Sequence, residues 1–284
     1  MRHGKPSRTA LRVAIRRAAH QLTDHPPVLA DPIATQILTP ETVGPSYHRD
    51  LERAQEFVAR DFRCMMAARS RYAEDQLAAS VAAGVRQYVI LGAGLDTFAY
   101  RNPFAELRVF EVDFPATQEW KHWVLDTTNI PIPANLTFAA VDFEHQALAD
   151  GLRAAGVNFS APAFFSWLGV VPYLTLPAFR ATLAAIAQFP EGSAVTFDYA
   201  FPPETLSSAR RAIYDRLAER VAAAGEPFQL FFTPEQLEQE FHQAGFHRIE
   251  QIDTTGLNRR YFSNRSDGLK LSDSRFGQWT TAWV

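Results

Sequence analysis

The chain has 284 residues and a formal net charge of −3, with 47% hydrophobic and 21% charged residues, the balance of a globular protein large enough to bury a substantial core. Its Lys and Arg are dispersed, which speaks against a nucleic-acid surface, and no apolar run is long enough to span a bilayer. The single cysteine, Cys64, cannot form an intramolecular disulfide and reads as a small core residue in a reduced cytoplasmic setting.

Helical signals run to about Gly84. TALRVAIRRAAHQL ends at a Pro-rich break, HPPVLADP, and although the N-terminal stretch is basic it lacks the apolar core and cleavage site of a secretory signal. A longer helical region is expected from about Tyr47 to Ala83, with Val58, Phe62, Met65 and Met66 on one face and Gly84 as its stop. From Gln87 short apolar runs alternate with helical stretches: QYVILG, LRVFEVD, LTFAAVDF, PAFFSWLG and SAVTFDYA. The helix after the second run carries a Trp120, Trp123, Val124 stripe. Strands apolar on both faces and joined by helices imply a mostly parallel sheet covered on both sides, a doubly wound α/β domain with an N-terminal helical cap. TPEQLEQEFHQAGF followed by HRIEQIDT suits a final strand or hairpin at the sheet edge. One domain is expected over residues 1–284, with a cap over 1–84, a cofactor-binding core over 85–200, and a substrate-side insert completing the sheet over 201–284.

The turn after the first strand, Gly92-Ala93-Gly94, lies at the carboxyl ends of the strands, where such sheets bind their ligands. A dinucleotide loop wants G-x-G-x-x-G, but the third position here is Thr97, and Asp96 sets a carboxylate where a pyrophosphate would seek helix N–H groups. S-adenosylmethionine carries no phosphate and tolerates the acid, so the turn favours it over NAD. Asp113, 21 residues past Gly92 at the end of the second strand, has the spacing of a ribose-binding acid for either cofactor. Asp96 and Thr97 are expected to cap the following helix and shape the pocket floor.

VILGAGLDTFAYR followed by VFEVDFPATQEWK resembles the leucine carboxyl methyltransferase family of S-adenosylmethionine-dependent methyltransferases, from RTALRVAIRRA to at least FDYA. The resemblance implies a Rossmann-like class I fold with seven strands, the last antiparallel, and O-methylation, which in some bacterial members serves natural-product pathways. It implies Arg69 as the clamp on the cofactor carboxylate, with Arg71 the nearest competitor, and Gly92, Ala93, Gly94 and Asp113 as the glycine-turn and ribose positions. VDF resembles the adenine-binding segment, implicating the Asp142 side chain and the Phe143 N–H; Asp142 as a strand-end cap is the alternative. Where several relatives carry a glutamate near the fourth strand, this chain has Leu168. Trp167 either offers an aromatic face to the adenine or sulfonium, or packs in the core.

Methyl transfer is a displacement whose leaving group needs no protonation, so holding the acceptor and excluding water dominate. A carboxylate acceptor needs no base, whereas an alcohol or phenol benefits from one. No His–Asp pair stands out at the strand ends, which favours a carboxylate or an acidic hydroxyl on a small molecule or peptide. Tyr173, Asp198 and Tyr199 are the candidates to face it. Phe228, Phe231, Phe232, Tyr261 and Phe262 suggest an apolar, aromatic ligand. Histidine spacing offers no metal site and no G-x-S-x-G elbow is present. Alternatives are an NAD(P)-dependent oxidoreductase, or a protein that binds S-adenosylmethionine without catalysis.

Overall fold

A computed structural model describes residues 8–56, 59–142, 145–223, 225–272 and 276–284. Helices α1 (Arg8–Thr23), α2 (Ile33–Gln36), α3 (Pro40–Val43), α4 (Tyr47–Gln55) and α5 (Arg60–Ala82) precede the first strand. There follow β1 (Gln87–Leu91), β2 (Arg108–Asp113), α6 (Pro115–Thr127), β3 (Leu136–Ala140), α7 (Leu148–Ala154), β4 (Phe164–Trp167), α8 (Leu176–Ile186) and β5 (Ala194–Ala200). The chain continues through α9 (Ser208–Ala223), α10 (Pro234–Ala244), β6 (Arg248–Ile252), α11 (Thr254–Leu257) and β7 (Gly277–Trp283).

Every residue of β1 is buried, as expected of a central strand covered on both faces. The seven strands form one mixed sheet in the order β3-β2-β1-β4-β5-β7-β6, parallel from β3 to β5, with β7 antiparallel to both its neighbours. The order reverses between β1 and β4, so the loops leaving these two strands flank a crevice at the carboxyl edge. On one face Val89, Phe110, Phe165 and Val195 join Phe179, Leu183 and Phe241 from the helices α8 and α10. On the other, Tyr88, Ile90, Val109 and Phe164 pack against Leu77 of α5 and Phe98. The Thr233/Gln236 capping box opens α10, and Gly245 at φ 96° closes it in a left-handed turn that favours glycine.

Four expectations need correction. The helical region from Tyr47 to Ala83 is two helices, because Glu56 takes an extended ψ of 152° and ends α4; Val58 lies outside the described residues. No long helix follows β1, only one 3-10 turn over Phe98–Arg101. Trp123 is 48% exposed and leaves its stripe to Val124 and Trp120. The strand HRIEQIDT is the edge strand β6, but β7 inserts between it and β5.

Polar clusters fasten α1 and the chain that follows it. Arg63 of α5 donates from Nε and Nη2 to Asp24 at 2.7 and 2.9 Å. His20 Nε2 accepts the Val28 N–H, so its Nδ1 carries the proton and donates to Asp24 at 2.8 Å. Burial alone would raise the Asp24 pKa; Arg63 and His20 outweigh it and hold the carboxyl well below its ordinary range. Among the described residues no helix is long and apolar enough to cross a membrane.

Candidate functional site

The glycine turn forms because β1 must reverse direction above β2. Gly92 and Gly94 have φ of 69° and 50°, values that strain any residue with a Cβ. Gly92 N–H and Ala93 N–H both donate to Val112 O, locking the turn onto β2. Close approach at these glycines is made by the protein itself. A Cβ at Gly92 would collide with Val170 Cγ2 in the loop after β4, and one at Gly94 would lie 2.9 Å from the Ala10 methyl of α1.

Asp113 ends β2 directly beneath this turn. Its Oδ2 accepts Gly94 N–H and its Oδ1 accepts Phe114 N–H, both at 2.6 Å. Burial pushes its pKa up, and the two N–H groups oppose that. Asp96 accepts the Phe98 N–H at 2.8 Å in a side-chain turn leading into the 3-10 turn, whose N-cap is Thr97, and Arg17 of α1 lies 3.2 Å from its other oxygen. Thr97 points down instead: its hydroxyl meets Asp31, and Arg17 Nη2 donates to both Thr97 and Asp31. Arg101 adds a bond to Asp31 and a bidentate pair with Glu74. Burial acts against the Asp31 charge, but Arg17 and Arg101 prevail and lower its pKa. On β2, Glu111 is buried against Lys121, whose ammonium also donates to Asp96 O; burial pushes the Glu111 carboxyl up to about 7.

Across the crevice, Arg69 of α5 reaches the ends of β4 and β5. Its Nη1 lies 3.3 Å from Asp198 Oδ2, and Asp198 Oδ1 accepts the Gly169 N–H at 2.6 Å. Gly169, at φ 69°, lets the guanidinium pass: a Cβ there would stand 2.6 Å from Arg69 Nη1. Arg69 Nε is buried and, among the described residues, has no hydrogen-bond partner. Tyr173 lies beside this pair; burial and the charge of Glu226 push its phenol up to about 12. Phe228 packs on the Tyr173 ring at 5.2 Å, and Thr9 of α1 bonds Glu226. Arg16, about two turns along the same helix, stands over the Phe62 ring at 5.3 Å. Burial and the nearby Arg12, Arg220 and Arg69 bring its pKa down to about 10.

The structure thus brings Gly92, Ala93, Gly94, Asp113, Asp142, Arg69, Tyr173 and Asp198 to the carboxyl edge of one sheet. Asp142 follows β3, where its carboxylate faces His145 Nδ1 at 2.9 Å. This is a His–Asp pair at a strand end that the sequence reading did not expect, because the two meet only through the turn, although His145 is exposed. The Asp142 carbonyl accepts the Gln146 N–H, and Phe143 lies outside the described residues. Arg71, the competitor of Arg69, turns away to Asp75 and Val28 O. Leu168 is half-buried between Trp167 and Gly169.

Two candidates do not join this edge. Strand alternation sends Tyr199 to the face opposite Asp198, where it is buried and its hydroxyl donates to Gln251 Oε1 at 2.5 Å. Trp167 shares the inner face with Phe165; it is fully buried, stacked on Phe179 at 5.7 Å and edge-on to Phe197, and presents no aromatic face to a ligand. Of the aromatic candidates, Phe232 and Phe262 are core residues and Tyr261 bonds Asp75. Residue reasoning passed over Arg16, Arg17, Asp31 and Gly169. The Arg12/Arg16 spacing of four was visible as a basic helix face, but not what that face covers.

Comparison with known proteins bears on the family and the fold. The family described as leucine carboxyl methyltransferase matches residues 10–187. YktD of Bacillus subtilis (strain 168), which carries the provisional name of an S-adenosyl-L-methionine-dependent methyltransferase, is 33% identical over 96% of this chain and 97% of its own. A similarly named protein of Mycolicibacterium paratuberculosis (strain ATCC BAA-968 / K-10) is 34% identical over 60% of this chain and 56% of its own. A crystal structure named for a methyltransferase from Thermobifida fusca YX shares the fold, with a TM-score of 0.59 at 16% identity over 99% of this chain and 96% of that one. The chain belongs to the leucine carboxyl methyltransferase family and is an S-adenosyl-L-methionine-dependent methyltransferase.

Proposed function

We propose that the enzyme methylates an oxygen that is already anionic, a carboxylate or acidic hydroxyl of a small molecule or peptide. The observation that carries this reading is the polarity of the site. Tyr173, its phenol pushed up to about 12, stays protonated near neutral pH and donates a hydrogen bond rather than removing a proton. Asp198 is engaged by Gly169 N–H and Arg69, so it orients the guanidinium and is not a free base. A site of donors and cations suits an acceptor that arrives ionised.

The residues present fit the cofactor. Asp113 spends one bond per oxygen on backbone N–H groups, leaving lone pairs for a ribose diol. The unpartnered Arg69 Nε is a buried donor that a carboxylate would satisfy, at about 1.5–3 kcal/mol for a charge-assisted bond. Asp142 stands where the adenine is expected, with Phe143 beside it in sequence. S-adenosylmethionine supplies, when bound, an electrophilic methyl carbon on sulfonium. The chain's task is to hold the acceptor oxygen in line and keep water out. On this reading α1–α4 form a cap over the carboxyl edge, residues 201–232 close the acceptor side, and the single domain works in the cytoplasm, in keeping with its one buried thiol.

The test is transfer of a labelled methyl group from S-adenosylmethionine to acceptors in fractionated extract, followed by mild alkali. Volatile label released as methanol is the expected result and marks an ester. Alkali-stable label marks an ether on a hydroxyl, and label found on nitrogen would overturn the proposal. A natural-product acid is the favoured acceptor, because the aromatic Tyr173–Phe228 pair borders the site.

A further inference from the structure

The arginines on the acceptor side outnumber the acids. Arg16 is half-buried with its guanidinium over Phe62, and Arg12 lies one turn away on the same helix. Like charges four apart on a helix repel, so this pairing lowers the stability of α1 unless something anionic offsets it. Among the described residues no carboxylate forms an ion pair with Arg12, Arg16 or Arg220, whereas Arg17, the next residue, is paired with both Asp31 and Asp96. Two anchors fix where the unpaired face points. Ala10 packs onto Gly94, and Thr9 bonds Glu226 beside Tyr173. Arg16 stands over Phe62 of α5, within electrostatic reach of Arg12, Arg69 and Arg220.

Charge counting separates this cluster from the cofactor. Among the described residues, Arg12, Arg69 and Arg220 act on Arg16, while Asp198 and Glu226 are the carboxylates that act on the neighbouring Tyr173. The amino-acid end of S-adenosylmethionine is zwitterionic and its sulfonium is positive, so cofactor binding adds to the excess. A monoanionic acceptor would leave most of it in place.

We infer that Arg16, flanked by Arg12 and Arg220, holds a second anionic group of the acceptor, so that the acceptor is a small organic acid with at least two carboxylates. The inference rests on the O-methylation reading for its direction but concerns a different contact. One carboxylate receives the methyl group, and the other is bound by the α1 face and fixes which end of the molecule meets the cofactor.

The test is calorimetry on the full chain loaded with S-adenosylhomocysteine, at constant ionic strength, with citrate as the probe. Acetate, inorganic phosphate and triethyl citrate serve as comparisons. Citrate should bind, triethyl citrate should not, and Arg16→Gln should weaken citrate at least tenfold while Arg16→Lys keeps most of it. Arg216→Gln, an exposed arginine of α9, controls for bulk charge and should change nothing. Equal citrate affinity in wild type and Arg16→Gln overturns the inference, as does absence of citrate binding. Tighter binding of phosphate than of citrate overturns the carboxylate assignment. Failure of S-adenosylhomocysteine to bind would count against the cofactor site instead, and citrate titration of the unloaded protein then still judges Arg16.

Discussion

The two sides of the crevice differ in how their charges are settled. On the β1–β2 side, Arg17 and Arg101 are ion-paired with Asp31, Asp96 and Glu74, although Arg17 Nε itself finds no hydrogen-bond partner among the described residues, and Asp113 has a backbone N–H on each oxygen. On the β4–β5 side, among the described residues, Arg69 Nε has no hydrogen-bond partner and Arg16 makes no ion pair. Networks whose charges are paired specify one geometry, while buried cations short of a counter-charge are costly unless a ligand arrives. The first side is a frame that sets the turn. The second is the side where selectivity for an acceptor resides.

The largest expected effect breaks the frame. Asp31→Ala leaves Arg17 and Arg101 short of a buried partner, and chemical denaturation should show a loss of about 3–5 kcal/mol. Asp113→Ala should weaken S-adenosylhomocysteine at least 100-fold, about 2.7 kcal/mol, in calorimetry. An unchanged affinity would move the ribose site elsewhere. A pH series sharpens the contrast further. Burial raises the folded Glu111 pKa from 4.5 to about 7, so the native state prefers the proton. Its contribution to stability is full below about pH 4.5 and is lost as pH rises towards 7. In Glu111→Gln that decline, on the order of 3 kcal/mol, should vanish from denaturation curves across this window. Smallest of all, Tyr199→Phe removes one hydrogen bond on the far face of β5. It should cost about 1 kcal/mol of stability and leave the methyl-transfer rate unchanged. A slower rate with intact folding would return Tyr199 to the site.

Local signals were legible in the sequence, and non-local ones were not. The apolar runs located β1 to β5 because strands buried on both faces write themselves as continuous Val, Ile and Phe. The glycine turn and Asp113 were readable for a similar reason: both belong to adjoining strands at a fixed spacing. β7 was missed because GQWTTAW carries buried threonines. Its Thr281 bonds Tyr72 and Thr196 across the fold, and those partners lie far away in sequence. Tyr199 was misjudged beside Asp198 although their alternation was visible, because which face of β5 held the crevice depended on α5. The same period sends Trp167 into the core and left Gly169, whose role is to admit Arg69, without any sequence mark.

The insertion of β7 between β5 and β6 bears on how the enzyme is made. Asp198 is registered directly opposite Trp279, so the strand that carries the Arg69 partner has no neighbour on that side until residues near 280 leave the ribosome. Synthesis therefore yields β1 to β5 and their glycine turn long before the acceptor side has its support. Such long-range pairing is slow and exposes an unpaired strand edge meanwhile. A chain stalled or clipped before β7 should thus be aggregation-prone and inactive, so the nascent protein acquires its methyltransferase activity only after β7 has emerged.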